Sequence, residues 1–111
     1  MKKIKTLLGN AFALSMVTGF DACNLNIKKV TVQEVRSLLS NGFESVVGHQ
    51  STADLFTSML DIDVNMNRVS VSLDTDTLLI VGQYSGPRLP EGVTQLPEGA
   101  SITWYTVQVA K

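Results

Sequence analysis

The residues best suited to chemistry gather around the chain's only histidine, His49, in the run Gly48-His49-Gln50-Ser51-Thr52. A short apolar strand is predicted to turn straight into a helix there. The first N–H groups of a helix lack internal partners and lie at the positive end of its dipole, so such a junction suits an anion such as phosphate. Gly48 lets a ligand approach the backbone closely, and Gln50, Ser51 and Thr52 crowd further donors into one turn. His49 beside them can give up a proton. Further along, Arg88-Leu89-Pro90-Glu91-Gly92 supplies an arginine suited to a bidentate grip on phosphate and a carboxylate three positions later. An acid, an anion clamp and a carboxylate are the minimum set for breaking a phosphodiester without a metal ion.

Each of these residues also has a purely structural reading. His49 could be a helix-entry residue whose ring bonds a backbone carbonyl, and Ser51 or Thr52 the residue that caps the helix. Arg88 and Glu91 could be a solvated surface pair of little energetic worth. Against this, Pro87 and Pro90 stiffen their loop and lower the entropy lost in presenting it. Arg68, at the entry to a predicted hairpin, and Gln83, at the end of an apolar strand, are weaker candidates for ligand contacts.

Other chemistries are poorly supplied. Asp61-Ile62-Asp63-Val64-Asn65-Met66-Asn67 opens like a calcium loop, but Met66 stands where the turn needs glycine and Ser72 where the bidentate glutamate belongs. One histidine and one cysteine cannot complete a tetrahedral zinc set within the chain, so no metal and no cofactor are expected. A net charge of −1 argues against a general nucleic-acid coat, so no DNA partner is expected and a nucleotide ligand should be small and pocketed. The lone Cys23 suits a reducing, cytoplasmic setting. Met1-Lys2-Lys3-Ile4-Lys5, a largely apolar stretch and then Asp21-Ala22-Cys23 imitate a lipoprotein signal, yet Gly9, Asn10, Ser15, Thr18 and Gly19 break the apolar run and Asp21 sits where a small neutral residue is wanted. No stretch reaches the roughly 20 apolar residues of a membrane helix, so no membrane partner is expected.

The elements that must position these residues follow from periodicity. Lys3 to Leu8 and Leu25 to Val30 read as strands, with a turn or extended loop over Ala11 to Val17. Thr31-Val32-Gln33-Glu34 has capping-box spacing, and Val32, Val35, Leu38 and Leu39 fall on one helical face before Asn41-Gly42. Glu44 to Gly48 carries a strand centred on Val46-Val47, followed by a helix with Leu55, Phe56, Met59 and Leu60 on one side and Asp54 in its first turn. Val69 to Leu73 alternates with period two, and Leu78-Leu79-Ile80-Val81 is a continuous apolar run, together predicted as a hairpin whose second strand is buried on both faces. Gly86 to Gly99 holds all three prolines and reads as a long loop before a strand over Ile102 to Val109. The expected fold is α/β, one small domain over residues 1–111 with a mixed central sheet of about five to six strands flanked by helices. A domain this small gains from pairing with a copy of itself.

Three ordered motifs then carry a resemblance over essentially the whole chain. Gly48-His49-Gln50-Ser51-Thr52-Ala53-Asp54-Leu55, Val64-Asn65-Met66-Asn67-Arg68 and Arg88-Leu89-Pro90-Glu91-Gly92, with Gly9-Asn10-Ala11-Phe12 near the start, resemble the viral ring nucleases. These type III anti-CRISPR proteins also occur in plasmids, proviruses and bacterial genomes. The resemblance implies a metal-independent phosphodiesterase that degrades cyclic tetra-adenylate, the second messenger of type III CRISPR immunity, enclosed in a two-fold homodimer in the cytoplasm, that of the host cell where a virus encodes it. It places the catalytic histidine on His49, the phosphate-facing arginine and glutamate on Arg88 and Glu91, and ligand contacts on Asn10, Ser51, Thr52, Arg68 and Gln83, beside Gly48 and Gln50 in the same turn. Two departures stand out. Pro87 fills one residue more between Gln83 and Arg88 than archaeal-virus members have, and Ala13 stands where they carry a serine.

The implied reaction uses the substrate's own nucleophile. A ribose 2′-hydroxyl attacks the adjacent phosphorus and the 5′-oxygen leaves, so the protein must align the attack, neutralise phosphoryl charge and protonate the leaving oxygen. Alignment falls to the pocket, neutralisation to Arg88 with the first-turn N–H groups, and protonation to His49; Glu91 orients Arg88 or His49 or assists removal of the 2′ proton. Two opposite cuts give linear di-adenylate ending in a 2′,3′-cyclic phosphate. The alternative expectation is a protein that sequesters the cyclic nucleotide without cleaving it.

Overall fold

A computed structural model describes residues 4–89 and 95–110. In chain order the elements are β1 (Lys5–Gly9), a 3₁₀ turn (Leu14–Val17), β2 (Asn24–Val30), α1 (Val32–Leu39), β3 (Glu44–Ser45), α2 (Gln50–Leu60), β4 (Thr77–Ser85) and β5 (Ser101–Ala110). The strands form one mixed five-stranded sheet in the order β2-β5-β4-β1-β3. β1 runs parallel to both β3 and β4, with Leu8 opposite Ser45 on one side and Ile80 on the other. β5 is antiparallel to β4 and β2. This is the expected small α/β domain with a mixed sheet.

Alternation along the strands builds a core on each face. On one, Leu8, Ile80 and Trp104 meet Val35 and Leu39 of α1 and Ala53, Phe56 and Leu60 of α2. On the other, Leu7, Leu79, Val81, Val107 and Val109 are covered by Phe12, Met16, Val17, Phe20 and Leu73. The Leu79-Ile80-Val81 run is therefore buried on both faces, as its continuous apolar character implies.

α1 begins as its sequence dictates. The Thr31 hydroxyl accepts from the Glu34 N–H at 3.1 Å while the Glu34 carboxylate accepts from the Thr31 N–H at 3.3 Å, a complete capping box. Val35 and Leu39 are buried, whereas Leu38 lies at the exposed margin of that face.

The expected hairpin does not form. Val69 to Leu73 is an extended segment outside the sheet, because β1 and β5 already occupy both edges of β4 and no ladder position remains there. Its alternation is still used: Leu73 and Val71 pack onto the second core, and the Leu73 N–H donates to the Met16 carbonyl at 2.8 Å. The Ala11 to Val17 segment, expected as a loop, contains the 3₁₀ turn. β3 is shorter than expected, with Val46 and Val47 beyond its two paired residues.

Candidate functional site

Because β1, β3 and β4 are parallel, their C-terminal ends reach the same edge of the sheet. Ligands of open α/β sheets bind outside the carboxyl ends of strands, and here that edge gathers Asn10 after β1, Gly48 and His49 after β3, and Arg88 after β4. The motifs far apart in sequence are adjacent for this topological reason.

The helix at the junction starts earlier than expected. His49 itself is the N-cap, in extended backbone (φ −135°, ψ 134°) and without a capping side-chain bond, so neither Ser51 nor Thr52 caps α2. The Ala53 N–H donates to the His49 carbonyl at 3.0 Å, which makes Gln50, Ser51 and Thr52 the first three helical residues and leaves their N–H groups without intrahelical acceptors. The early start follows from how the preceding backbone is pinned, with the Gly48 N–H donating to the Asn10 side-chain oxygen at 3.2 Å. It also moves Asp54 out of the first turn, where it accepts from the Gln50 side-chain amide at 2.8 Å.

A cleft of about 490 Å³ opens at this turn. His49, Gln50, Ser51 and Thr52 form one wall; Tyr84, Gly86, Arg88 and Leu89 form the other. His49 and Arg88 are exposed to it, and Thr52 is buried at its base. A proton donor, unpartnered backbone donors and a guanidinium thus line one opening, an arrangement suited to a phosphate group. Among the described residues no cluster of three His, Cys, Asp or Glu side chains gathers as a metal site.

A second cleft of about 430 Å³ lies beside Gly48 and is lined by Asn10, Arg68, Ser15 and Thr18, with Met16 and Val71 on its apolar side. Arg68 is brought there by the segment before it. The Asn67 side-chain amide donates to the Ser45 carbonyl and its backbone N–H to the Val47 carbonyl, both at 2.8 Å, while the Thr57 hydroxyl both accepts from the Val64 N–H and donates to its carbonyl. The Val64 to Arg68 motif is thereby laid along the exit of β3. Asn10, half-buried beside this cleft, has a structural duty, since its side-chain oxygen accepts from the Gly48 N–H.

Two expected residues are not brought into these clefts. Gln83 lies on the other face of the sheet, with Phe12, Ile27, Val81, Tyr105 and Val107, because side chains alternate along β4. Glu91 lies outside the described residues. Sequence reasoning missed Tyr84, for which the available signal was its place directly after Gln83 and so on the opposite face of β4, and Asn67, whose role depends on a carbonyl 22 positions earlier.

The fold and this edge define a small α/β domain with a cleft at a strand-to-helix junction. The chain belongs to the STIV B116-like family, whose model matches residues 6–103. It is 39% identical over 70 residues to Uncharacterized protein 26 of Sulfolobus islandicus filamentous virus (isolate Iceland/Hveragerdi). That match covers 61% of this chain and 58% of the relative. Its fold is similar to that of B116 of Sulfolobus turreted icosahedral virus, with a TM-score of 0.75 and 23% identity over 94% of this chain and 98% of that one.

Proposed function

We propose that this chain is a metal-independent ring nuclease that binds cyclic tetra-adenylate between two copies of itself and cuts it to linear di-adenylate, switching off type III CRISPR signalling. The observation that carries this reading is the convergence of His49, the first-turn N–H groups of α2 and Arg88 on one cleft. In the proposed reaction a ribose 2′-oxygen attacks the neighbouring phosphorus and passes its proton to the Glu91 carboxylate or to water, the bond from phosphorus to the 5′-oxygen breaks, and His49 protonates that oxygen. Arg88 and the N–H groups of Gln50, Ser51 and Thr52 balance the charge that grows on the phosphoryl oxygens. Gly48 lets the phosphate approach, and Asn10 with Arg68 in the adjoining cleft holds the next part of the ring. Glu91 keeps the catalytic role that the resemblance gives it, whereas Gln83, on the other face of the sheet, is left out of the site.

The test incubates purified protein in chelator with cyclic tri-, tetra- and hexa-adenylate and resolves the products by mass. The expected product is linear di-adenylate with a 2′,3′-cyclic phosphate, from the tetramer, at a rate the chelator does not change. His49→Ala should bind the ring yet lose about a hundredfold or more in cleavage rate. Arg88→Ala should lose cleavage together with some affinity. Full activity of His49→Ala would overturn the general-acid assignment, and tight binding without product in the unmodified protein would make it a sequestering protein.

A further inference from the structure

The wall of the cleft opposite His49 is a turn that one side chain bridges. Tyr84 follows Gln83 on β4 and so faces the other way, half-buried at the cleft. Its hydroxyl donates a hydrogen bond to the Pro87 carbonyl, three residues on. Between them Gly86 has a φ of +150°, and a Cβ placed on it would lie 2.6 Å from the Ala100 Cβ and 3.1 Å from the Tyr84 hydroxyl oxygen. The turn is therefore pressed between the approach to β5 on one side and the phenol on the other, and Pro87, with its fixed φ and no N–H, has its carbonyl tied down. Arg88 comes immediately after, exposed, and the direction of its guanidinium depends on the backbone that carries it.

We propose that Tyr84 is the positioning residue of this site: through the Pro87 carbonyl it holds the turn that aims Arg88 across the cleft at the group beside His49. In catalysis it acts through Arg88 and exchanges no proton with the substrate. The catalytic part of this inference rests on the ring-nuclease reading; the clamping of the turn stands apart from it.

The experiment compares the unmodified protein with Tyr84→Phe, which keeps the ring and removes the hydroxyl, alone and combined with Arg88→Ala. Amide hydrogen exchange in the free protein reads the clamp: Tyr84→Phe should speed exchange at Arg88 and Leu89 about five- to tenfold, the loss of one hydrogen bond, while α2 keeps its protection. Single-turnover cleavage of cyclic tetra-adenylate reads the consequence, a rate lower by about five- to tenfold with ring affinity changed less than about twofold. In the Arg88→Ala background Tyr84→Phe should add less than about twofold, because a residue acting through Arg88 has nothing left to aim. Unchanged exchange at Arg88, an unchanged cleavage rate, or rate losses that multiply in the double variant would each overturn the proposal. If the unmodified protein cleaves no cyclic oligoadenylate, the ring-nuclease reading falls by itself and the exchange comparison still decides whether Tyr84 holds the turn.

Discussion

Asn67 shows how a residue that need not touch a ligand can still build a site. Its side-chain amide and backbone N–H bind the carbonyls of Ser45 and Val47, and Arg68 reaches the cleft beside Gly48 as the next residue in the chain. Asn67→Ala is expected to cost about 1 kcal/mol, read as a lower urea midpoint with an unchanged slope, and to weaken cyclic tetra-adenylate binding as Arg68 loses its anchor. A midpoint and affinity equal to those of the unmodified protein would show that the segment is held without this side chain. At the same scale His49 was legible as a candidate because a lone histidine before a helix start, next to glycine, is a local pattern. Its role as N-cap was not legible. Serine and threonine outrank histidine as caps, and what moves the start to His49 is the distant Asn10 oxygen on the Gly48 N–H.

Among the elements, α2 carries the turn that lines the cleft, and its seat on the sheet depends on a missing side chain. Gly82 lies opposite Trp104 in the β4–β5 ladder, and a Cβ there would come within 2.5 Å of the Phe56 ring and 2.6 Å of the Trp104 ring. Those two rings pack with centroids 4.8 Å apart. Gly82→Ala must displace them, and is expected to cost about 1–3 kcal/mol in denaturant unfolding and to lower activity by shifting α2. Thr31→Ala provides the contrast: it should cost about 1 kcal/mol through the lost cap of α1 and leave ring cleavage per folded molecule unchanged. Equal stability of Gly82→Ala and the unmodified protein would show that the core yields more readily than the contact distances imply. α1 was legible because its capping box and apolar stripe are local to ten residues or so. The fate of Val69 to Leu73 was not. Alternation reports a face to bury, whereas pairing depends on which edges other strands leave open, and β1, from the far end of the chain, had taken the edge beside β4.

For the whole molecule, the ring-nuclease reading calls for a second copy, and one face of the sheet has the character to meet it. Ile27 on β2 is 55% exposed beside Phe12 and Tyr105, with Gln83 at the rim of the same patch. Ile27→Glu is expected to leave the fold intact, shift sedimentation from dimer toward monomer and reduce cleavage at low protein concentration, where pairing limits activity. A variant that sediments as a dimer would place the pairing surface elsewhere. No helix of the described residues is long and apolar enough to cross a membrane. The position of β1 has a consequence in time as well as in space. The strand that separates β3 from β4 precedes both in sequence, and its partner Thr77–Ser85 is synthesised only after β2, α1, β3 and α2. Until then Leu7 and Leu8 have only the two-residue β3 to pair with, and the edge that gathers Asn10, His49 and Arg88 does not exist. Folding is therefore governed by a few distant pairings and completes late, so a ribosome-bound chain lacking β4 has no such cleft even with His49 already outside the tunnel.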